Sequence, residues 1–194
     1  MYYVKEIEDK IRLPPDEFKS EREEVIARIL REQYERRLFK ELGFVISLFD
    51  VKISGDGLVI PGDGAAYYTV KFNLLTFMPY VNEVYYAEIK DLVDFGAFAG
   101  IGPIQGLIHI SQLASEKFSY NKKAKKIVSR SGKLSVKKGD KCMVKISTVS
   151  MKATVADTRI GLTMRPQGLG RIEWVEKEAE RENQLRRRQK VKKK

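Results

Sequence analysis

Two short runs in the second half of the chain hold the residues best suited to chemistry: D-F-G-A-F, from Asp94 to Phe98, and G-L-I-H-I-S, from Gly106 to Ser111. In a regular strand, Phe95 and Phe98 would point to opposite faces. Glycine in a barrel strand often marks a bulge or a sharp bend, so we predict that a bend at Gly96 brings both rings to one outer surface. There they would stack on nucleic-acid bases, at about 1–3 kcal/mol per base whatever the base. The alternative is that both rings belong to the core.

His109 is the only histidine in the chain. Because no nucleophile or carboxylate partner accompanies it, the sequence favours a stacking or hydrogen-bonding role over that of a catalytic base. We predict no catalytic residues in this chain. The single cysteine, Cys142, lies in the alternating run C-M-V-K-I and is interpreted as a buried strand residue. Without a Cys/His cluster we expect no metal site, no cofactor and a reducing intracellular compartment.

The excess of positive over negative charge belongs entirely to the second half of the chain. Residues 1–80 hold 12 Lys and Arg against 14 Asp and Glu, whereas residues 81–194 hold 25 against 12. The segment Lys117–Lys141 holds ten basic residues and one acid, and we predict that it is a long loop that contacts phosphates, chiefly through Lys122, Lys123, Lys125 and Lys126. The alternative is a solvated lysine-rich loop.

The first half predicts a helix packed on an antiparallel sheet. Met1–Leu13 alternates as a strand does, and Ser20–Glu23 fits a capping box that would start a helix. Apolar residues at helical spacing continue to Leu38, and Gly43 is placed to end the helix in a left-handed cap. Two strands are predicted at Phe44–Ile53 and Ala66–Phe77. Between them we expect two glycine turns that project from one end of the sheet, formed by Gly55, Asp56 and Gly57 and by Pro61, Gly62, Asp63 and Gly64.

After Pro79 the pattern changes to short strands separated by glycine, which is typical of a small barrel. Five strands suit an OB-type barrel: Val84–Val93, Gly96–Ile101, Gly106–His109, Lys141–Val149 and Arg159–Met164. Arg171–Gln189 returns to a helical pattern, and a basic tail follows. The expected fold class is therefore α+β.

Four ordered blocks resemble the S-one domain, an RNA-binding OB module: D-F-G-A-F, G-L-I-H-I-S, Gly139-Asp140 with the strand after it, and R-I-G-L-T from Arg159. In that family two aromatic residues, a histidine and a basic residue beside the last strand form the RNA face. The matching positions are Phe95, Phe98, His109 and Arg159. The family often adds an aspartate a few residues before that arginine, and Asp157 matches it only loosely.

Over essentially its full length the chain resembles the E-prime family of archaeal RNA polymerase subunits, the counterpart of the seventh subunit of eukaryotic RNA polymerase II. The segments that carry the resemblance are Met1–Tyr3, Leu13–Pro15, Tyr34–Glu35, Gly43–Ser47, Pro61–Tyr67, Phe77–Pro79 and Met164–Gly170. It implies an RNP-like domain in residues 1–80 that docks on the polymerase core through the glycine loops. It also implies an S-one barrel in residues 81–170 and a C-terminal helix with a basic tail in residues 171–194.

The same resemblance implies a non-catalytic stalk subunit that pairs with the small helical stalk subunit of RNA polymerase, known as F, binds nascent single-stranded RNA and assists initiation. The alternative is a free S-one RNA-binding factor in translation or RNA decay. An independent nuclease or modifying enzyme would need a metal site or nucleophile that the sequence does not show. No apolar stretch approaches the roughly 20 residues of a membrane span, so we expect a soluble, cytoplasmic protein.

Overall fold

The computed structural model describes residues 1–18, 21–152, 154 and 157–181. These residues form two compact units. The first comprises Met1–Pro79 with the described part of Met151–Thr158, and the second comprises Tyr80–Ser150 with the described residues from Arg159 onward. The predicted α+β class is confirmed. In the described part of the chain, no helix is long and apolar enough to cross a membrane.

The first unit is an antiparallel sheet with one helix against it. Its elements are β1 (Tyr2–Leu13), α1 (Arg22–Tyr34), β2 (Leu38–Phe39), β3 (Gly43–Val59) and β4 (Ala66–Phe77). The strand order is β1-β4-β3-β2, and β1 pairs with β4 without a break along its whole length. Alternate residues of β1 and β4 therefore share one face of the sheet, where they pack with buried residues of α1 and β3. The core so formed consists of Ile11, Leu13, Val25, Ile26, Leu30, Val45, Leu48, Ala66, Tyr68, Val70, Phe72 and Leu74.

Helix α1 is shorter than predicted. Ser20 of the predicted capping box lies outside the described residues, and Glu21 at the N-cap makes no side-chain capping bond. The predicted helix end at Gly43 is wrong, because α1 ends at Tyr34 and Leu38–Phe39 instead pairs with the start of β3. The Tyr34 hydroxyl donates to Asp9 at 2.7 Å, and burial, reinforced by that carboxylate, raises the pKa of Tyr34 to about 12. This contact fixes the last turn of α1 on β1.

Gly43 has the positive φ that was predicted, 84°, but it begins a strand. A Cβ there would lie 2.5 Å from the carbonyl oxygen of Phe77, so the close approach of β4 also requires glycine. The predicted turn at Gly55–Gly57 is wrong, since these residues stay within β3, where the register shifts between Ser54 and Leu58. The turn at Pro61–Gly64 is confirmed and leads from β3 into β4.

The second unit contains the predicted five-stranded barrel. Its elements include β5 (Val84–Val93), β6 (Gly96–Ile101), β7 (Ile104–His109), β8 (Phe118–Asn121), β9 (Lys126–Ser129), β10 (Ser135–Lys137), β11 (Lys141–Ser150), β12 (Arg159–Thr163) and β13 (Gly170–Arg171). The order β12-β7-β6-β5-β11 is closed by pairing of β11 with β12. Within this closed set β12 and β7 run parallel, whereas the other neighbours are antiparallel.

The prediction of a long loop over Lys117–Lys141 is wrong, because β8, β9 and β10 form a three-stranded antiparallel sheet in the order β10-β9-β8. Ile127 lies opposite both Tyr120 and Val136, so these three side chains share one face. Ile127 and Val136 are fully buried on it. Burial of this apolar face stabilises the small sheet despite its many lysines.

The C-terminal helix occupies residues 172–181 in the described part of the chain. Arg171, predicted as its first residue, belongs instead to β13, which pairs with β11. The rest of the predicted helix, to Gln189, and the basic tail lie outside the described residues.

Candidate nucleic-acid interface

The outer face of β6 and β7 presents the first aromatic residue of the predicted site. Ala97, Ala99 and Ile101 of β6 are fully buried, so the alternate residues of the strand face outward. Phe98 is one of them, and it is partly exposed opposite Leu107 of β7. The core alternative is therefore wrong for this ring.

Phe95 reaches solvent for a different reason from the one predicted. It lies in the two-residue turn between β5 and β6, where its side chain is 51% exposed. Its carbonyl oxygen accepts from the Ile110 amide at 2.9 Å, which holds the turn next to the end of β7. The strand parity that would separate Phe95 from Phe98 does not apply, because Phe95 lies outside the strand.

The predicted bend at Gly96 is wrong. Gly96 pairs in register with both Val93 and His109, and the irregularity in this hairpin lies between Ile89 and Asp91 of β5. A Cβ on Gly96 would lie 2.2 Å from the Ile108 carbonyl oxygen, closer than any real contact. Glycine is therefore needed here for the close approach of β6 and β7.

His109 is the last residue of β7 and pairs with Gly96, and its side chain is exposed on the outer face. Its Nδ1 accepts from the Ser111 amide at 3.3 Å and lies 2.8 Å from the Ser111 hydroxyl oxygen. An accepting Nδ1 in a neutral imidazole leaves the proton on Nε2. His109 therefore presents an outward N–H donor beside the row of Phe98 and Leu107.

Arg159 is exposed at the start of β12, on the outward side, because Ile160 and Leu162 point into the barrel. Two residues on, Gly161 aligns with Leu107, so β12 borders the same outer face as β7. Asp157, the loosely matched aspartate, accepts from the Thr154 hydroxyl at 2.7 Å within its own turn. Phe95, Phe98, His109 and Arg159 thus all lie at the surface, on elements that adjoin one another, and we call them the outer-face set.

The four predicted phosphate-binding lysines lie at the β8–β9 hairpin. Lys122, Lys123 and Lys125 are in its turn, and Lys126 is the first residue of β9. Lys122 forms an exposed ion pair with Asp94 at 3.1 Å, next to Phe95 in sequence. Lys126 lies directly opposite Lys137 on β10, and both side chains are exposed. Like charges placed directly opposite each other in a sheet repel. The hairpin therefore adds positive charge beside the Phe95 turn.

Sequence reasoning missed an ion-pair cluster at Arg171. Its guanidinium, 11% exposed, lies 3.4 Å from Asp140 and 2.6 Å from Glu173, and it donates to the Ser135 carbonyl at 2.8 Å. It also lies 5.9 Å from the centre of the Trp174 ring. Arg171 thereby joins β10 and the C-terminal helix to the barrel. A charged residue directly before a helical pattern carried no signal for this role.

The Pro61–Gly64 turn of the first unit is held rigidly by Asp63. Its carboxylate accepts from Arg12 at 2.8 and 3.0 Å and from the Tyr67 hydroxyl at 2.7 Å. Arg12 and then Tyr67 hold the pKa of Asp63 well below its usual range. Leu58, Val59 and Ile60 lead into the turn with exposures of 66%, 60% and 44%. The hairpin tip is thus a fixed turn beside an exposed apolar run.

Comparison with known proteins agrees with both halves of the chain. Residues 8–64 match the family model described as "SHS2 domain found in N terminus of Rpb7p/Rpc25p/MJ0397", and residues 79–160 match "S1 RNA binding domain". DNA-directed RNA polymerase subunit Rpo7 of Saccharolobus shibatae is 35% identical over 175 residues, which is 90% of this chain and 97% of that protein. The chain belongs to the Rpo7 family of DNA-directed RNA polymerase subunits.

Other members of this family and its eukaryotic relatives extend the similarity. Rpo7 of Sulfolobus acidocaldarius is 34% identical over 168 residues, or 87% of this chain and 91% of that protein. RNA polymerase III subunit RPC8 of Bos taurus is 29% identical over 102 residues, or 53% and 50% of the two chains. The outer-face set falls within the S1 match. The resemblances drawn from sequence, to the S-one domain and to the archaeal polymerase subunit, are confirmed.

Proposed function

We propose that this Rpo7-family chain is a non-catalytic stalk subunit whose barrel binds nascent single-stranded RNA on the outer-face set. Two surface aromatics, a histidine with an outward N–H and an arginine provide stacking and hydrogen bonds without selecting a base sequence. The observation that carries the proposal is the exposure of Phe95 beside the row of Phe98 and His109. As the family resemblance implies, the subunit would also assist initiation.

The lysines of the β8–β9 hairpin supply the electrostatic part of the same proposal. Lys123, Lys125 and Lys126 are exposed, and Lys122 lies against Asp94. RNA that neutralises such cations releases counterions, so affinity falls as salt rises. Lys122 contributes less than the others because its charge is already partly matched.

Docking on the polymerase core is assigned to the tip of the β3–β4 hairpin. The predicted docking residues, Gly55 to Gly57 and Pro61 to Gly64, flank the exposed apolar run Leu58–Ile60. On docking, this run would bury apolar surface with little loss of conformational entropy, because Asp63 already holds the turn in shape. The glycines shape the tip, and the apolar side chains make the contact.

Pairing with the small helical stalk subunit is assigned to the start of the second unit. Val81, Val84 and Tyr86 are 51%, 47% and 57% exposed, and Tyr80 is 47% exposed. Val84 and Tyr86 are alternate residues of β5, so they share its outward face. A stripe of this kind suits the apolar face of a partner helix.

The RNA assignment is tested by replacing Phe95 and Phe98 singly with alanine and measuring the affinity for labelled single-stranded RNA at fixed salt. Each loss should weaken binding by about 5- to 150-fold, which corresponds to 1–3 kcal/mol per stacked base. Phe49→Ala, which removes an exposed phenylalanine from the first unit, is the matched control and should leave the affinity unchanged. Equal affinities for all three variants, with folding verified by circular dichroism, would refute the stacking role.

The docking assignment is tested by Leu58→Glu and Val59→Glu in a pull-down with the polymerase core. Both should abolish co-purification, because each places a charge in an apolar contact. Val4→Glu, an equally exposed valine at the opposite end of the same sheet, should retain the core. Retention of the core by the Leu58 and Val59 variants would show that docking occurs elsewhere.

A further inference from the structure

The second unit contains a cavity that none of the roles above uses. Its volume is about 440 Å³, and it opens on the seam of β11 and β12 beside the short 3-10 helix Ile110–Gln112. Seven residues line it, of which two are cationic and none is acidic: Asn82, Gln112, Lys145, Ser147, Thr163, Arg165 and Pro166. This lining is rich in hydrogen-bond donors.

The two cations of the cavity have no carboxylate partner in the described part of the chain. Lys145 lies on the outward side of β11, directly opposite Thr163, and Arg165 follows the end of β12. The acid nearest in sequence to this lining, Glu83, already accepts from the Tyr80 amide and the Tyr85 hydroxyl. Two unpaired positive charges in one concavity favour an anionic ligand.

One neutral residue of the cavity, Gln112, is also held so that it can donate. The Thr163 hydroxyl donates to Gln112 Oε1 at 2.9 Å and accepts from the Arg165 amide at 3.2 Å. The Met164 amide donates to the Gln112 carbonyl oxygen at 2.8 Å. Because Oε1 of Gln112 is engaged, its amide NH₂ group is left to donate. Gln112 therefore joins the two cations in presenting protons to a ligand oxygen.

We propose that this cavity binds a phosphate group, and that its occupant is a backbone phosphodiester of the RNA bound on the outer-face set. Gln112 follows His109 by three residues, a distance of about 6 Å along a 3-10 helix. A strand that stacks on Phe98 and His109 thus reaches the cavity by continuing past the end of β7. The inference rests on the proposed RNA-binding function and extends its path to β11 and β12.

The test removes both charges from the cavity of the full chain, as Lys145→Gln with Arg165→Gln. Affinity for labelled single-stranded RNA is measured over a range of salt concentrations. Two lost phosphate contacts should make the slope of log affinity against log salt shallower by about 1.4, and should weaken binding at 0.1 M salt by about 25-fold. Arg31→Gln with Lys40→Gln removes the same charge from exposed positions of the first unit and should leave the slope unchanged.

A second arm separates the RNA backbone from free phosphate. Inorganic phosphate is titrated into both charge variants and the unmodified chain, and the side-chain amide signals are followed by nuclear magnetic resonance. A slope unchanged in the cavity variant, while Phe95→Ala still weakens RNA binding, overturns this inference and leaves the proposed function standing. If inorganic phosphate saturates the cavity while the slope of log RNA affinity against log salt is unchanged in the cavity variant, the occupant is free phosphate and not the RNA backbone. That result also overturns the inference. Failure of the unmodified chain to bind RNA refutes the proposed function and the inference together.

Discussion

Replacement of Arg171 by methionine tests whether its ion-pair cluster holds the second unit together. Methionine keeps much of the side-chain length and removes the charge, the hydrogen bond to Ser135 and the contact with the Trp174 ring. The change leaves Asp140, 6% exposed, without its cation. A buried carboxylate that loses its partner costs far more than the net value of the pair.

The expected magnitude follows from the burial of both partners. Breaking a buried ion pair costs about 3–5 kcal/mol in the free energy of unfolding. For a chain of this size each kcal/mol lowers the melting temperature by about 2–4 °C, so Arg171→Met should lower it by about 6–20 °C. Because Asp140 also accepts from the Lys137 amide at 2.8 Å, the loss should extend to the turn before β11.

The assay is thermal unfolding followed by circular dichroism, with a second arginine as the control. Arg28 pairs with Glu17 at the surface, with side-chain exposures of 55% and 30%. Arg28→Met should cost at most about 1 kcal/mol. Combining Asp140→Asn with Arg171→Met should recover part of the loss, since no buried charge then remains unpaired. Equal melting temperatures for Arg171→Met and Arg28→Met would refute this account of the cluster.

Three further outcomes follow from single positions. Gly96→Ala should lower the melting temperature sharply, because its Cβ would meet a carbonyl oxygen at 2.2 Å, whereas Gly100→Ala, whose nearest contact is a flexible lysine side chain at 3.4 Å, should be tolerated. Arg12 lowers the pKa of Asp63, so their pair stabilises the fold above about pH 4 and loses effect as the pH falls through the folded-state pKa. The difference in melting temperature between Asp63→Asn and the unmodified chain should therefore shrink as the pH falls below about 4. A difference that grows at low pH would contradict this reasoning. Burial, reinforced by a nearby carboxylate, raises the pKa of Cys142 to about 12, so iodoacetamide should label this thiol at neutral pH only under denaturing conditions.

The strongly alternating segments were predictable from sequence, and the helix end was not. Ala66–Phe77 has the predicted bounds because every second side chain from Ala66 to Leu74 belongs to the core that packs against α1. The apolar spacing that continued past Tyr34 misled the prediction, since Leu38 and Phe39 are partly buried as strand residues paired to β3. Tertiary pairing overrode local periodicity there.

The candidate site was likewise predictable only in part. Phe95, Phe98, His109 and Arg159 were predictable as surface residues because the motif resembles a known RNA-binding module. The reason for the exposure of Phe95 was not predictable, because a turn residue does not follow the alternation of side chains that holds within a strand. The small sheet of β8, β9 and β10 was hidden by its lysines, since a high charge density suggests a loop even where alternate residues are buried. Long-range contacts such as Arg171 with Asp140 leave no local pattern.

The claim that the outer face of the barrel carries the RNA is tested most directly by photo-crosslinking. Single-stranded RNA containing 4-thiouridine is irradiated with the full chain, and the crosslinked peptides are identified by mass spectrometry. Crosslinks are expected at Phe95, Phe98 or His109, and they should be lost when excess unlabelled RNA is present. Crosslinks confined to Met1–Pro79 would contradict the claim.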